Sequence, residues 1–326
     1  MKKVLGGFLV FFIAVWAYVE WLSVSPRIFS LDEILTAEIS KEADRTVVGA
    51  ASTATHAYVL SQILHDKNGG YTAKGFLYHL GIMDNMPSFE VGAIKASYEF
   101  ANVGLSESFT KQVSNDTYDD KLKSSQTFLN YPPHKWTYPS SLNNYNRSLE
   151  GIREFIPRML DKNQPDAQFY TRSNGLRAYF TRLQGLLGDY NGSLTESVGR
   201  FQYNTNLELD LDGEASTNEP IGKVIKTPYL KVDNVYHQAR GVAWAVVHHL
   251  RAIERDFKDV LVAKNSLRSL RQMIYELEQT QGTRWNPMVL NGDPDGYIPN
   301  HSLVLANRFG RAIIILQKLT LEMKEG

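Results

Sequence analysis

The chain has 326 residues, 43% apolar and 21% charged, with 35 basic side chains against 35 acidic ones and no cysteine. A chain of this length can bury about three quarters of its unfolded surface and needs no covalent staple; without cysteine, thiol catalysis, iron–sulfur clusters and cysteine zinc sites are excluded, while the redox compartment stays open. Zero net charge argues against a broadly basic nucleic-acid surface, and the apolar content argues against wholesale disorder.

After Met1-Lys2-Lys3 comes an uncharged apolar run from Val4 to Val19, followed by Glu20, Trp21 and Leu22. Val4 to Leu22 is 19 residues, close to the roughly 20 that a helix needs to cross hydrocarbon. Glu20 would then reach headgroup water, with Trp16, Tyr18 and Trp21 as an aromatic belt. Lys2 and Lys3 would hold the amino end in the cytoplasm by the positive-inside rule. The pattern predicts a cytoplasmic end at 1–3, a transmembrane anchor at 4–22, a linker at 23–30 and an exported helical domain at 31–326. A cleaved signal peptide has the same start. Its cut at Val15-Trp16-Ala17 would fall inside the apolar run, and Ser23-Val24-Ser25 is followed by Pro26, so the uncleaved anchor is the reading adopted. Without Lys2, Lys3 and Glu20 the remainder is one charge negative.

The exported part reads as all-α. Ser30 before Leu31-Asp32-Glu33-Ile34 forms a capping-box pattern. The helix that follows is interrupted at Gly49 and resumes through Ala57, Leu60 and Leu64 to a stop at Asn68-Gly69-Gly70. Apolar residues recur at helical spacing from Pro87 to about Val113, and a shorter helix is expected from Tyr118 to Leu129. Pro139-Ser140-Ser141 and Gln164-Pro165-Asp166 read as helix starts. Strand signals are scarce: Lys223 to Val232 alternates weakly, and Pro228 demotes it.

The clearest helix is expected from Val232 to Leu261. Val232, Val235, Ala239, Val242, Val246, Leu250, Ile253 and Phe257 fall within one stripe roughly 100° wide, which is core. Opposite lie His237, Arg240, Trp244, His248, Arg251 and Arg255, a basic and aromatic face. A tryptophan at its centre is unusual for a solvated surface. Either another part of the chain covers it or it binds a partner, with Arg240, Trp244, His248, Arg251 and Arg255 as the contacts. His237 and His248 are three turns apart, about 16 Å, too far to share a metal ion. His249 flanks the apolar stripe and reads as a core histidine.

Glu208, Asp210, Asp212, Gly213 and Glu219 have the spacing of a calcium loop. Pro220 follows at once and no exiting helix is legible, so a flexible acidic loop over 201–222 is the simpler account. Asn291 to Gly296 reads as consecutive tight turns. No G-x-S-x-G elbow or phosphate loop is present. Asp84, Asn85 and Asn300 precede helices and read as caps; Asp84 and His301 are the candidate acid–base groups if the fold brings them to the Trp244 face.

Asp84-Asn85-Met86-Pro87, Asn163 to Tyr170, Lys226-Thr227-Pro228, Ala239-Arg240-Gly241-x-Ala243-Trp244-Ala245 with His248, and Asn300-His301-Ser302-Leu303 together resemble a bacterial family catalogued as domain of unknown function 2333. The resemblance covers most of the chain, and this sequence departs from the family pattern in the acidic loop and at His249. It implies a proteobacterial membrane-anchored protein, and it supplies no catalytic residues, cofactor or activity. The expectation is an inner-membrane protein, one span with a periplasmic helical domain and no cofactor. It would act as a non-enzymatic envelope module that binds a protein or cell-wall partner. The alternative is an envelope hydrolase acting on peptidoglycan or a related polymer through Asp84 or His301.

Overall fold

A computed structural model describes residues 2–110, 119–161, 167–204, 221–282, 289–293 and 296–324, with side chains from residue 9 onward. Among these residues the chain is mostly helical, with one small hairpin. Helix α1, Lys2–Leu22, ends on the turn Asn68 to Gly70, where the Asn68 side-chain amide donates to the Trp21 carbonyl at 2.8 Å. Gly69 has a φ of +75°, and a Cβ there would lie 2.4 Å from Leu22 Cδ2. Glycine at that turn thus supplies both the left-handed backbone and the room for α1 to seat. Among the described residues no helix is long and apolar enough to cross a membrane. The described side chains of α1 run from Leu9 to Leu22, a shorter run than the helix itself.

Helix α2, Leu31–Glu38, begins as its capping pattern requires, with Ser30 Oγ accepting from the Glu33 N–H. Helix α3, Ala50–Ser61, starts at Gly49 and passes into a π-helical turn over Gln62–Asp66. A single turn, α4, Phe76–His79, precedes α5, Asn85–Glu99, which continues as a π-helical stretch through Phe109. The helix expected to reach about Val113 ends at Phe109, with Thr110 as its cap; 111–113 lie outside the described residues. Helix α6, Asp120–Leu129, is capped by Asp119, and α7, Ser141–Leu160, by a reciprocal Ser140–Asn143 box. Helix α8 is Ser173–Thr195; the expected start at Gln164 to Asp166 lies outside the described residues.

Strands β1, Arg200–Tyr203, and β2, Gly222–Ile225, pair antiparallel with Arg200 opposite Ile225. This corrects the single loop expected over 201–222: residues 201–203 belong to β1, which is exposed throughout, and Gly222 opens β2, which runs into the weakly alternating segment from Lys223. Helix α9, Val232–Asp256, stops at Phe257, short of the expected Leu261, and α10 covers Lys258–Ala263. Helices α11, Leu267–Glu278, and α12, His301–Glu322, follow; Asn300 caps α12 by accepting from the Leu303 N–H at 2.9 Å.

The core is organised around α9, whose residues 241–250 are buried on every side. Its closest neighbour is α5. A Cβ on Gly241 would lie 1.9 Å from the Phe89 carbonyl oxygen, and one on Gly92 would lie 2.0 Å from that of Gln238. The two backbones therefore touch through a pair of glycines. Each costs about 1 kcal/mol of helix propensity relative to alanine, which the close packing of the two helices offsets. Gly241→Ala and Gly92→Ala should each destabilise the chain by at least the ~1–3 kcal/mol of an overpacked core. Gly188→Ala in α8, where a Cβ meets nothing within 4 Å, should instead gain up to about 1 kcal/mol. Denaturant unfolding of the full chain in detergent checks the contrast.

Candidate functional site

The second face of α9 is covered by the chain itself. Trp244 is fully buried, and its indole Nε1–H donates to the Arg27 carbonyl at 3.0 Å. The Phe29 N–H donates to His248 Nε2 at 3.1 Å, which makes His248 Nδ1–H the donor to the Trp244 carbonyl at 2.7 Å. The Arg251 guanidinium donates to the Phe29 carbonyl at 3.1 Å and pairs with Glu278 at 2.7 Å. Arg255 donates to the Arg45 carbonyl at 3.0 Å. The stretch read as a linker, 23–30, is thus tied down over residues 27–29. Trp244 and His248 have no surface left for a partner, because backbone groups of that stretch need the donors and acceptor this face offers.

Deeper in the core, His56 Nδ1 and His249 Nε2 are 3.3 Å apart, and the His249 ring stacks on Phe100 at 4.1 Å. No group of three or more histidines, aspartates or glutamates able to hold a metal occurs among the described residues. Burial lowers His56 to about 3 and His248 to about 4, and it holds His249 well below the usual histidine range, with the neighbouring His56 adding to the effect. All three are neutral in the folded chain at neutral pH.

What does open to solvent is a cleft of about 870 Å³ between the end of α1 and the domain. Trp16, Val19 and Glu20 of α1 form one wall, with Ser23 to Ile28 at its end; Ile82 to Asn85, Tyr236, His237 and Arg240 form the other, closed by Glu278 and Gln281. Arg240 is positioned by its bond to the Thr280 carbonyl at 3.2 Å, and the Gln281 amide donates back to the Arg240 carbonyl at 3.0 Å. Asp84 sits at the start of α5, where its side chain makes no capping hydrogen bond, unlike Asn300. Partial burial, and then the negative charge of Asp233, raise its carboxyl above the ordinary range. An acid, an imidazole and a guanidinium thus share one water-accessible wall.

Of the candidate residues singled out in the sequence, the structure brings Asp84, His237 and Arg240 to the cleft. His301 does not line the cleft; its Nδ1 accepts from the Leu290 N–H at 3.0 Å. Glu208, Asp210, Asp212 and Glu219 lie outside the described residues. The cleft residues that sequence reasoning missed, Glu20, Arg27, Tyr236 and Glu278, come from separate segments with no shared motif.

A family model described as an uncharacterized protein conserved in bacteria (DUF2333) matches residues 1–326. The chain belongs to this family. No curated protein and no solved structure matches it. In this DUF2333 chain, much of the Ala239 to His248 motif serves the fold: Gly241 admits the Phe89 carbonyl, while Trp244 and His248 hold residues 27–29. Asp84, Asn85 and Arg240 are motif positions that line the cleft.

Two outcomes follow. Trp244→Ala should cost roughly 3–5 kcal/mol, the usual loss for a buried tryptophan, read as a shift in denaturant midpoint. For the histidines, a depressed folded pKa means that the unfolded chain binds more protons below pH 6.5, so their stabilisation is complete above that pH and is lost as pH falls. Each histidine should remove about 1.4 kcal/mol per pH unit between pH 6 and 5. His249→Phe, which keeps a ring against Phe100, should flatten that slope by about a third; unfolding free energies at stepped pH give the comparison.

Proposed function

We propose that the protein is a single-pass, non-enzymatic envelope module of the bacterial inner membrane, with its amino end in the cytoplasm and its helical domain in the periplasm, that binds a partner in the α1 cleft. The cleft carries this reading: one of its walls is the last turns of α1 and the other is the domain, so a ligand there meets both. The anchor is supported by the exposure of α1. Leu9, Val10, Phe11, Phe12, Ile13 and Trp16 are each more than half exposed and point in all directions around the helix, and the domain first buries a side chain of it at Leu22. A helix apolar on every side and exposed all round over Leu9 to Ile13 calls for lipid. The basic residues before it set the orientation.

A ligand of this cleft approaches within two turns of the end of α1, hence at the membrane surface. That position favours the juxtamembrane segment of another membrane protein over a polymer strand lying farther out. A photo-crosslinking residue at His237, in cells, should give a discrete, protease-sensitive adduct that Arg240→Ala removes and that a probe at exposed Val262 does not give. Absence of any adduct from the cleft position would sink the binding reading, and an adduct sensitive only to muramidase would make the partner cell wall.

A hydrolase is the second reading, favoured by the raised carboxyl of Asp84 beside His237 and Arg240. Peptidoglycan turnover by the purified chain, abolished in Asp84→Asn, would establish it in place of simple binding.

A further inference from the structure

We propose that Phe76, Leu80, Ile82, Trp136 and Tyr138 form an apolar and aromatic foot that rests in the interfacial layer of the bilayer crossed by α1. The proposal rests on the anchor reading above but concerns a different surface from the cleft partner. Helix α4 buries none of its side chains, so it does not serve the core. Phe76 is 75% exposed, Trp136 70% and Tyr138 88%, and Leu80 and Ile82 are exposed beside them.

These residues are held firmly. The Tyr78 ring stacks on His134 at 4.3 Å, and its hydroxyl lies 3.3 Å from His134 Nε2. His134 Nδ1 is 2.9 Å from the Ala73 carbonyl oxygen, and the Tyr71 hydroxyl donates to the Pro133 carbonyl at 2.9 Å. The loop carrying Trp136 and Tyr138 is therefore pinned alongside α4, with His79 and Trp136 rings 6.4 Å apart.

The depth of this surface follows from its place against α1. Leu22 sits on Gly69, whereas Ile82 shares the cleft with Trp16 and Val19. Trp16 and Val19 precede Leu22 by six and three residues, so the cleft that Ile82 lines extends along the last two turns of α1. One headgroup layer is about 5–7 Å thick. If α1 crosses the hydrocarbon over Val4 to Leu22 with Glu20 at its boundary, the surface around Ile82, which adjoins the last turns of that helix, lies at the level of the headgroups. Tryptophan and tyrosine favour this zone because their rings are apolar and their tips polar. Lys135, exposed between His134 and Trp136, suits phosphate headgroups.

The chain has no cysteine, so single-cysteine variants of the full chain, reconstituted in phosphatidylcholine–phosphatidylglycerol vesicles, can carry an environment-sensitive fluorophore. Phe12→Cys reports the anchor, Leu80→Cys and Trp136→Cys report the foot, and Ile314→Cys, exposed on α12, is the control. The foot labels should be quenched several-fold more than the control by a nitroxide at a shallow lipid position, and the Phe12 label by a deep one. If Phe12 is lipid-quenched while both foot labels respond only to aqueous iodide, the foot is overturned and the anchor stands. A Phe12 label in water with foot labels still in lipid removes the anchor and keeps the foot; all labels in water overturn both. Foot labels shielded from both quenchers place another protein chain on the surface and also overturn the proposal.

Discussion

The geometry of the whole molecule depends on the way α9 holds residues 27–29. A segment leaving the end of a helix has backbone N–H and C=O groups without intrahelical partners, and buried ones must find them elsewhere. Here Trp244 and Arg251 donate to two carbonyls while His248 accepts from one N–H. The chain crosses from α1 to the core in a few residues with its backbone fastened to the most deeply buried helix. The direction of α1 relative to the domain is therefore a property of the fold, and both the cleft and the surface around α4 inherit their positions from it.

A second buried polar arrangement supports the other side of the same junction. The Glu90 carboxylate accepts from the Thr72 N–H at 2.9 Å, the Thr72 hydroxyl at 2.7 Å and the Ala73 N–H at 2.6 Å, and it pairs with Lys67. Burial raises its carboxyl above the usual range, with Lys67 and the Thr72 bonds pulling it back. Breaking such a buried pair from one side costs about 3–5 kcal/mol, so the turn from Lys67 to Ala73, which seats Leu22 on Gly69, is strongly organised. Neutral histidine on one side and a caged carboxylate on the other fix the same helix end. His248 does this only while neutral, because a proton on Nε2 would oppose the Phe29 N–H.

The helical class, the Ser30 and Asn300 caps, the helix start at Pro139 to Ser141 and the core stripe of α9 were legible because each is written in residues close together in the chain. The oddity of Trp244 was legible too, but its cover was not: Arg27 is 217 positions away, in a stretch with no periodicity to read. The cleft was invisible for the same reason, since α1, the Ile82 to Asn85 turn, α9 and the end of α11 contribute to it without a common motif. Asp84 looked like a cap from its place before α5, and only the fold turns its carboxyl to the cleft. Of the hairpin, β2 coincides with the start of the weakly alternating Lys223 to Val232 segment that Pro228 demoted, whereas β1, four residues exposed on both faces, leaves no alternation to read.

Charge bears on how the domain would be held at a membrane. Apart from Lys2, Lys3 and Glu20 the chain carries a formal net charge of −1, so an anionic leaflet exerts no overall attraction on it. A basic residue near such a surface contributes about 1 kcal/mol only within a Debye length, and in the proposed foot Lys135 would be one such residue. Contact with the bilayer would thus have to come from apolar surface and from the rigid attachment of α1. That division of labour leaves the charged groups of the cleft, Glu20, Asp84, Arg240 and Glu278, unneeded for membrane attraction. Their mixed signs, at a boundary where low dielectric on one side strengthens each interaction, suit recognition of a specific polar partner better than general adhesion to lipid.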